Sequence, residues 1–332
     1  MVYLYKKKVG GKFYYYLRVS ERKGSKLMVK DVAYLGTSLT EAKEALEHLP
    51  AQQAKIRKSH RTIQNFLESN RFTEKAKSLK LKHDPYLKEK LEDIEACRLH
   101  FHSDFEKLDS LTKEEVWKNF IVEFSFNTAA IEGNTITLAE ARNLLEEGLT
   151  PKNKSLREIY DLQNTEKVFL KMKDSTEELN HDLIVRIHSG LLKNIDSRTG
   201  YRAHDVRVTR ANFKSTPAPF VKTDMNLLLE WYQENKNKLH PFVLATLLHH
   251  KFEKIHPFMD GNGRTGRMLF NYILLKNKYP PTIIRQKNRS IYIDTLQEAD
   301  KAELFKSAPK SYEKLVAFLT KEFTENYWNI FL

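Results

Sequence analysis

A single cysteine, Cys97, serves a chain of 332 residues, so neither an internal disulfide framework nor a multi-cysteine zinc site can be built from it. Long apolar runs are lacking too. No uninterrupted stretch is long enough to span a bilayer, and the N-terminus holds no apolar segment of the signal-peptide kind. These absences lead us to expect a cytoplasmic protein with no membrane partner. Acidic residues are outnumbered, with 43 Asp and Glu against 56 Lys and Arg, which gives a formal charge of +13. Nucleic acid, nucleotides and acidic proteins are all drawn to such a surface, so the sign alone selects no partner. What is present, 41% apolar and 30% charged residues, is the composition of a globular chain.

Residues 1–50 stand apart. Three stretches rich in β-formers, 2–7, 12–19 and 27–35, are separated by Gly10-Gly11 and by Lys23-Gly24-Ser25, the pattern of an antiparallel meander. Ser38 and Glu41 have capping-box spacing and open a helix to Leu49, giving a small basic β-β-β-α module. Residues 51–102 are polar and helical in propensity, with a break at Asp84-Pro85, and read as a helical connector. Helical signals then dominate residues 103–310 and the C-terminal helix, 311–332. Thr112 begins a helix with the stripe Val116, Phe120, Phe124, which stops at Glu132-Gly133-Asn134. Further helices start at Thr137, Ser155 and Asn180. Two more, 241–255 (Leu244, Leu248, Phe252, Ile255) and 263–276, are apolar enough to be buried. Residues 206–213 read as a small hairpin closed by Pro217 and Pro219.

Between the two buried helices lies His256-Pro257-Phe258-Met259-Asp260-Gly261-Asn262-Gly263-Arg264-Thr265-Gly266-Arg267. Pro257 ends the preceding helix and leaves His256 at its tip. Gly261-Asn262-Gly263 forms a turn whose N–H groups converge just before the next helix, and a helix N-terminus of that kind binds phosphate. Arg264 and Arg267 are three apart, so they project to one side of the helix. Asp260 adds the single carboxylate with which Mg²⁺ is usually held beside phosphate oxygens. Such a set suits transfer of a phosphorus-centred group to a hydroxyl.

This segment resembles the signature of the Fic (filamentation-induced-by-cAMP) family, HPF-x-D/E-GNGR-x-x-R, at every specified letter. Nine set positions at roughly 5% each coincide by chance with odds on the order of 10⁻¹² per starting point, so chance is no competitor. The resemblance covers about residues 103–310 and implies a protein adenylyltransferase using ATP and Mg²⁺. His256 would take the proton from a target protein's hydroxyl, and Asp260 would bind Mg²⁺. Gly261, Asn262 and Gly263 would form the anion hole, with Arg264 at the β-phosphate and Arg267 at the γ-phosphate. Thr128, Glu132 and Gly133 fit the family's inhibitory pattern, S/T-x-x-x-E-G/N, which implies that Glu132 pairs with Arg267 and obstructs the γ-phosphate. Val206, Arg207, Val208 and Thr209 resemble the family's flap, a strand edge on which a target segment can lie. Gly200-Tyr201-Arg202 resembles another short family pattern, and Tyr292 resembles a residue lining the adenine pocket. Residues His249 and His250 read as packing, while His181, His188 and His204 receive no role.

The expected fold is therefore mostly α: a Fic-type helical core with a β-hairpin flap, preceded by the small β-β-β-α domain. Competing readings are AMP removal, transfer of UMP, phosphate or phosphocholine, and a nucleotide-sensing DNA-binding regulator. Residues 1–50 loosely resemble the DNA-binding arm domains of integrases, and a target-docking or homodimerisation module explains their composition equally well.

Overall fold

A computed structural model describes residues 2–206 and 214–332. Strands β1 (Val2–Val9), β2 (Lys12–Lys23) and β3 (Lys26–Gly36) form an antiparallel sheet in the order β1-β2-β3. Gly10, Gly11 and Gly24 adopt positive φ in its two hairpin turns, a conformation that glycine takes without steric cost. Alternation along the strands buries Val2, Leu4, Tyr15, Leu17 and Val19 on one face. Helices α1 (Leu39–Glu47), α2 (Gln53–Lys58) and α3 (His60–Ser78) cover that face through Ala42, Leu46, Ile56, Ile63 and Leu67. Ser38 caps α1 as its spacing suggests, by accepting from the Glu41 N–H, although the helix stops at Glu47.

The break near Asp84-Pro85 has a visible cause: the Asp84 carboxylate accepts from the N–H groups of both Tyr86 and Leu87, holding a turn. Helix α4 (Leu91–Ser103) then enters the main core through Leu91, Ile94, Cys97 and Phe101. The stretch that reads as a connector thus begins on the small sheet and ends inside the larger unit.

Helix α5 (Ser110–Ile131) starts earlier than its sequence suggests. Asp109, not Thr112, is its N-cap, because the Asp109 carboxylate accepts from the Thr112 N–H at 3.0 Å. Helices α6 (Leu138–Glu147) and α7 (Leu156–Lys173) carry complete capping boxes at Thr137/Glu140 and Ser155/Glu158, and Asn180 caps α8 (His181–Leu191). After α9 (Val221–Asn235) comes the central pair, α10 (Pro241–Ile255) and α11 (Asn262–Lys276). Nearly every side chain of both is buried, as their continuous apolar character requires. Helices α12 (Arg289–Ala299) and α13 (Pro309–Ile330) close the bundle, and α13 packs Tyr312, Leu319, Phe323 and Tyr327 into the same core. Among the described residues the architecture is mostly helical with one small sheet at the N-terminus. Of the expected flap, Val206 is half-buried and outside regular structure, while Arg207, Val208 and Thr209 lie outside the described residues.

Candidate active site

The site forms where α10 ends and α11 begins. His256 is the C-cap of α10 and takes a left-handed conformation (φ 54°), unusual for a residue with a Cβ. Its backbone is pinned by Arg202, whose Nε donates to the His256 carbonyl at 2.7 Å and whose N–H donates to the Pro257 carbonyl at 2.9 Å. The remaining guanidinium nitrogens of Arg202 donate to the carbonyls of His204 and Thr216, so this fully buried cation laces three segments together. On the ring, Nδ1 lies 3.3 Å from the Glu253 carbonyl, which favours the tautomer protonated there and directs the Nε2 lone pair away. Burial lowers the imidazole pKa although the Glu253 carbonyl works the other way. The imidazole is therefore neutral at neutral pH.

Phe258 is fully buried and stacked on His188, with ring centroids 3.6 Å apart. His188 also places Nε2 3.0 Å from the Asp260 carbonyl, so a histidine given no role from sequence supports the loop from beneath. Asn262 turns its side chain inward, accepting from the Phe258 N–H and donating to the Phe258 carbonyl, both at 2.8 Å. Its amide is thus a staple of the loop, and only its backbone is left to meet an anion. Gly261 begins α11 at φ 74°, where a Cβ would also collide with Leu192. The first amides of α11 have no partner within their own helix, the usual condition of a helix N-terminus.

The two motif arginines are used differently. Arg264 is buried and paired with Asp161 of α7; its Nη2 also lies 3.6 Å from Asp260. Removing one member of such a pair strands a buried charge. Asp161→Ala should cost about 3 kcal/mol of unfolding free energy, read from urea denaturation, and a change within about 0.5 kcal/mol would contradict a structural pair. Arg267 donates from Nε to Thr128 Oγ1 (2.7 Å), and from Nη2 to the Thr128 carbonyl (2.9 Å) and Glu132 Oε1 (2.7 Å). Thr128 and Glu132 are one turn apart at the end of α5, so both reach the same guanidinium. Gly133 follows at φ 102° and ends the helix there. The Glu132 carboxylate also stands over the start of α11, where a Cβ added to Gly263 would collide with Oε1. Burial raises the Glu132 pKa, but Arg267 outweighs it and holds the carboxyl below its usual range.

A second carboxyl, Glu253, lies behind Arg267. Burial pushes its pKa up to about 8 against the pull of that arginine, so at neutral pH Glu253 keeps its proton and Glu132 answers the charge. Tyr292, by resemblance a residue of the adenine pocket, is a core side chain here. It is 1% exposed, bonded through its hydroxyl to His249 Nε2 at 2.6 Å and stacked on His249 and Phe318. Asp260 presents its carboxylate at the mouth of the site: Oδ1 accepts from the Gly261 N–H at 2.6 Å, and Oδ2 meets Arg157. Burial raises its pKa, yet Arg264 and Arg157 prevail and keep it ionised. Among the described residues no group of three or more His, Cys, Asp or Glu could hold a metal. A cation here would take one ligand from the protein and the rest from phosphates and water, the habit of Mg²⁺. The residues fit that ion.

Sequence reasoning missed Arg157, Asp161, His188, Glu253 and Arg289, the last donating to the Ile131 carbonyl at 2.7 Å beside Glu132. Arg157 and Asp161 share a helix face at a spacing of four, but nothing in the sequence says which loop that face meets.

A histidine, a glycine loop and two carboxylate-paired arginines thus meet at the junction of two buried helices of a mostly helical protein. Residues 178–274 match the Fic/DOC family. It is 31% identical over 201 residues to protein adenylyltransferase Fic of Nematostella vectensis, covering 59% of this chain and 47% of the relative. The same-named protein of Drosophila grimshawi is 33% identical over 190 residues, covering 54% and 38%. The chain thus spans less than half the length of these curated relatives. Among solved structures, a Fic domain-containing signalling protein of Bacteroides thetaiotaomicron has a TM-score of 0.63 at 24% identity, covering 70% of this chain and 95% of its own. Residues 134–508 of Fic-1 from C. elegans give 0.62 at 22%, covering 88% and 92%. Both likenesses concern the fold.

Proposed function

We propose that this chain is a protein adenylyltransferase that moves AMP from ATP to a serine, threonine or tyrosine hydroxyl of a target protein and is held down by Glu132. The observation that carries the reading is a neutral histidine at the rim of an anion-binding helix terminus whose buried arginine is already paired with a carboxylate. Relatives named protein adenylyltransferase support it. In this reading the triphosphate lies on the backbone of Gly261–Gly263, with Arg267 for the γ-phosphate. Arg264, committed to Asp161, shapes the loop and reaches the β-phosphate side only through its outer nitrogens. Mg²⁺, held by Asp260, would neutralise charge on the phosphates. His256 Nε2 takes the hydroxyl proton as the target oxygen bonds to the α-phosphorus, and the bond to pyrophosphate breaks. The flap around Val206 would present the target segment.

Incubating the chain with α-labelled ATP, UTP and CDP-choline in parallel tests the reading. Label from ATP alone supports adenylyl transfer; label from UTP or CDP-choline alone, or release of AMP from a modified target without transfer, would replace it.

The N-terminal sheet favours one further reading, that the module contacts duplex DNA. Its open face carries Tyr3, Tyr5, Tyr14, Tyr16 and Tyr34, with the Arg18 guanidinium 3.3 Å above the Tyr5 ring. Basic and aromatic groups alternate there as in many nucleic-acid surfaces. In this reading the full chain retards duplex DNA at low salt, and Arg18→Ala weakens it while flattening the salt slope by about 1. A chain that leaves DNA unmoved and sediments as a homodimer makes the face a dimer contact instead. No helix among the described residues is long and apolar enough to cross a membrane. The buried free thiol of Cys97 accords with a reducing compartment, and we assign the chain to the cytoplasm.

A further inference from the structure

We infer that Arg157 is a resident cation on the Asp260 carboxylate, a second restraint on nucleotide loading that acts on the metal side of the site as Glu132 acts on the γ-phosphate side. This rests on the reading of Asp260 as the metal ligand. Arg157 lies in the first turn of α7, where a positive charge faces the positive end of the helix dipole and is locally disfavoured. Its partner explains its presence: Nη2 donates to Asp260 Oδ2. The other oxygen, Oδ1, is occupied by the Gly261 N–H. The oxygen that a divalent cation would approach is therefore the one Arg157 covers.

The restraint is built to release. The Arg157 side chain is 56% exposed, so it can leave without opening the core. Two other carboxylates feel its charge, Asp161 one turn along α7 and Asp196 in the loop after α8, although Arg264 and Arg198 already hold them. The same turn of α7 is fixed to the segment after Glu132, since the Glu158 carboxylate accepts from the Thr135 N–H (3.0 Å) and hydroxyl (2.6 Å). Asn134 also donates to the Glu158 carbonyl at 2.9 Å. One support thus carries both restraints, while their contacts involve different atoms of the site.

The test is a Mn²⁺ titration of the full chain with a non-hydrolysable ATP analogue, followed by electron paramagnetic resonance. Arg157→Gln should bind Mn²⁺ about threefold to fivefold more tightly than wild type, the range for displacing an exposed ion pair, and Arg157→Lys should fall between. The gain should shrink in high salt and persist in the Glu132→Gly background. Asp260→Ala should abolish the site. Wild-type or weaker binding by Arg157→Gln, with the site still lost in Asp260→Ala, would overturn the role of Arg157 alone. Undiminished Mn²⁺ binding by Asp260→Ala would overturn the metal-ligand reading and the inference with it.

Discussion

Glu132→Gly should raise AMP incorporation from α-labelled ATP about tenfold over the wild-type chain, read as self-labelling under initial-rate conditions. The magnitude follows from the contact. Arg267 is buried and makes three hydrogen bonds, of which two go to Thr128 and one to Glu132. Only the third is in the way of an incoming phosphate. A charge-assisted bond whose acceptor side chain is 43% exposed is worth about 1–2 kcal/mol, close to a factor of ten in occupancy of the competing state. Glycine at 132 leaves both Thr128 bonds intact, so the guanidinium keeps these neutral partners and loses only its charged one. Glu132→Gln retains the shape and loses the charge, and should give a smaller gain. Acid offers no shortcut to the same state. The Glu132 pKa is below its usual range, so its pair with Arg267 is present above that range and fails only as pH falls through the lowered value. Release at neutral pH therefore requires a competing ligand or a movement of the α5 terminus, and equal labelling by wild type and Glu132→Gly would refute the inhibitory reading.

How far the site could be read in advance depended on distance along the chain. Residues 256–267 are contiguous, so their chemistry and mutual reach follow from one helix end, one glycine turn and one helix start. The capping boxes at Thr137 and Ser155 were equally legible, since a cap is decided within four residues. What escaped was everything that reaches the loop from elsewhere. Asp161 and Arg157 approach from α7, His188 from α8, and Glu253 turns inward from the same helix that ends in His256. Such residues carry no local signature, because an acid or a histidine on a helix looks alike whether it faces water or another helix. Asn262 shows the converse: its place in the motif suggested ligand contact, whereas its side chain is spent on Phe258. Tyr292 is a related case. Its neighbours in sequence point outward, and only the packing of α12 against α13 reveals that the ring points in.

His256→Ala should lower labelling from α-labelled ATP by about 10³-fold in the Glu132→Gly background, where the expected starting rate is high enough to follow the loss. The estimate lies within the usual contribution of a positioned general base. Alanine brings a complication that the backbone makes plain. Position 256 has a positive φ, which alanine tolerates poorly, so some loss of stability accompanies the loss of the imidazole. Asn accepts the left-handed conformation more readily, and His256→Asn separates the two effects. Both variants should lose transfer alike, whereas only the alanine variant should show a lower unfolding midpoint. Binding of the nucleotide should survive in both, because the proposed anion contacts are those of Gly261–Gly263 and Arg267 and not of the ring. A pH profile adds a test specific to a base. With its pKa lowered by burial, His256 keeps wild-type transfer constant through neutral pH and lets it fall only as the ring is protonated below its ordinary range. Full labelling by His256→Asn would mean that the hydroxyl loses its proton elsewhere, and the chemistry assigned to the end of α10 would fail with it.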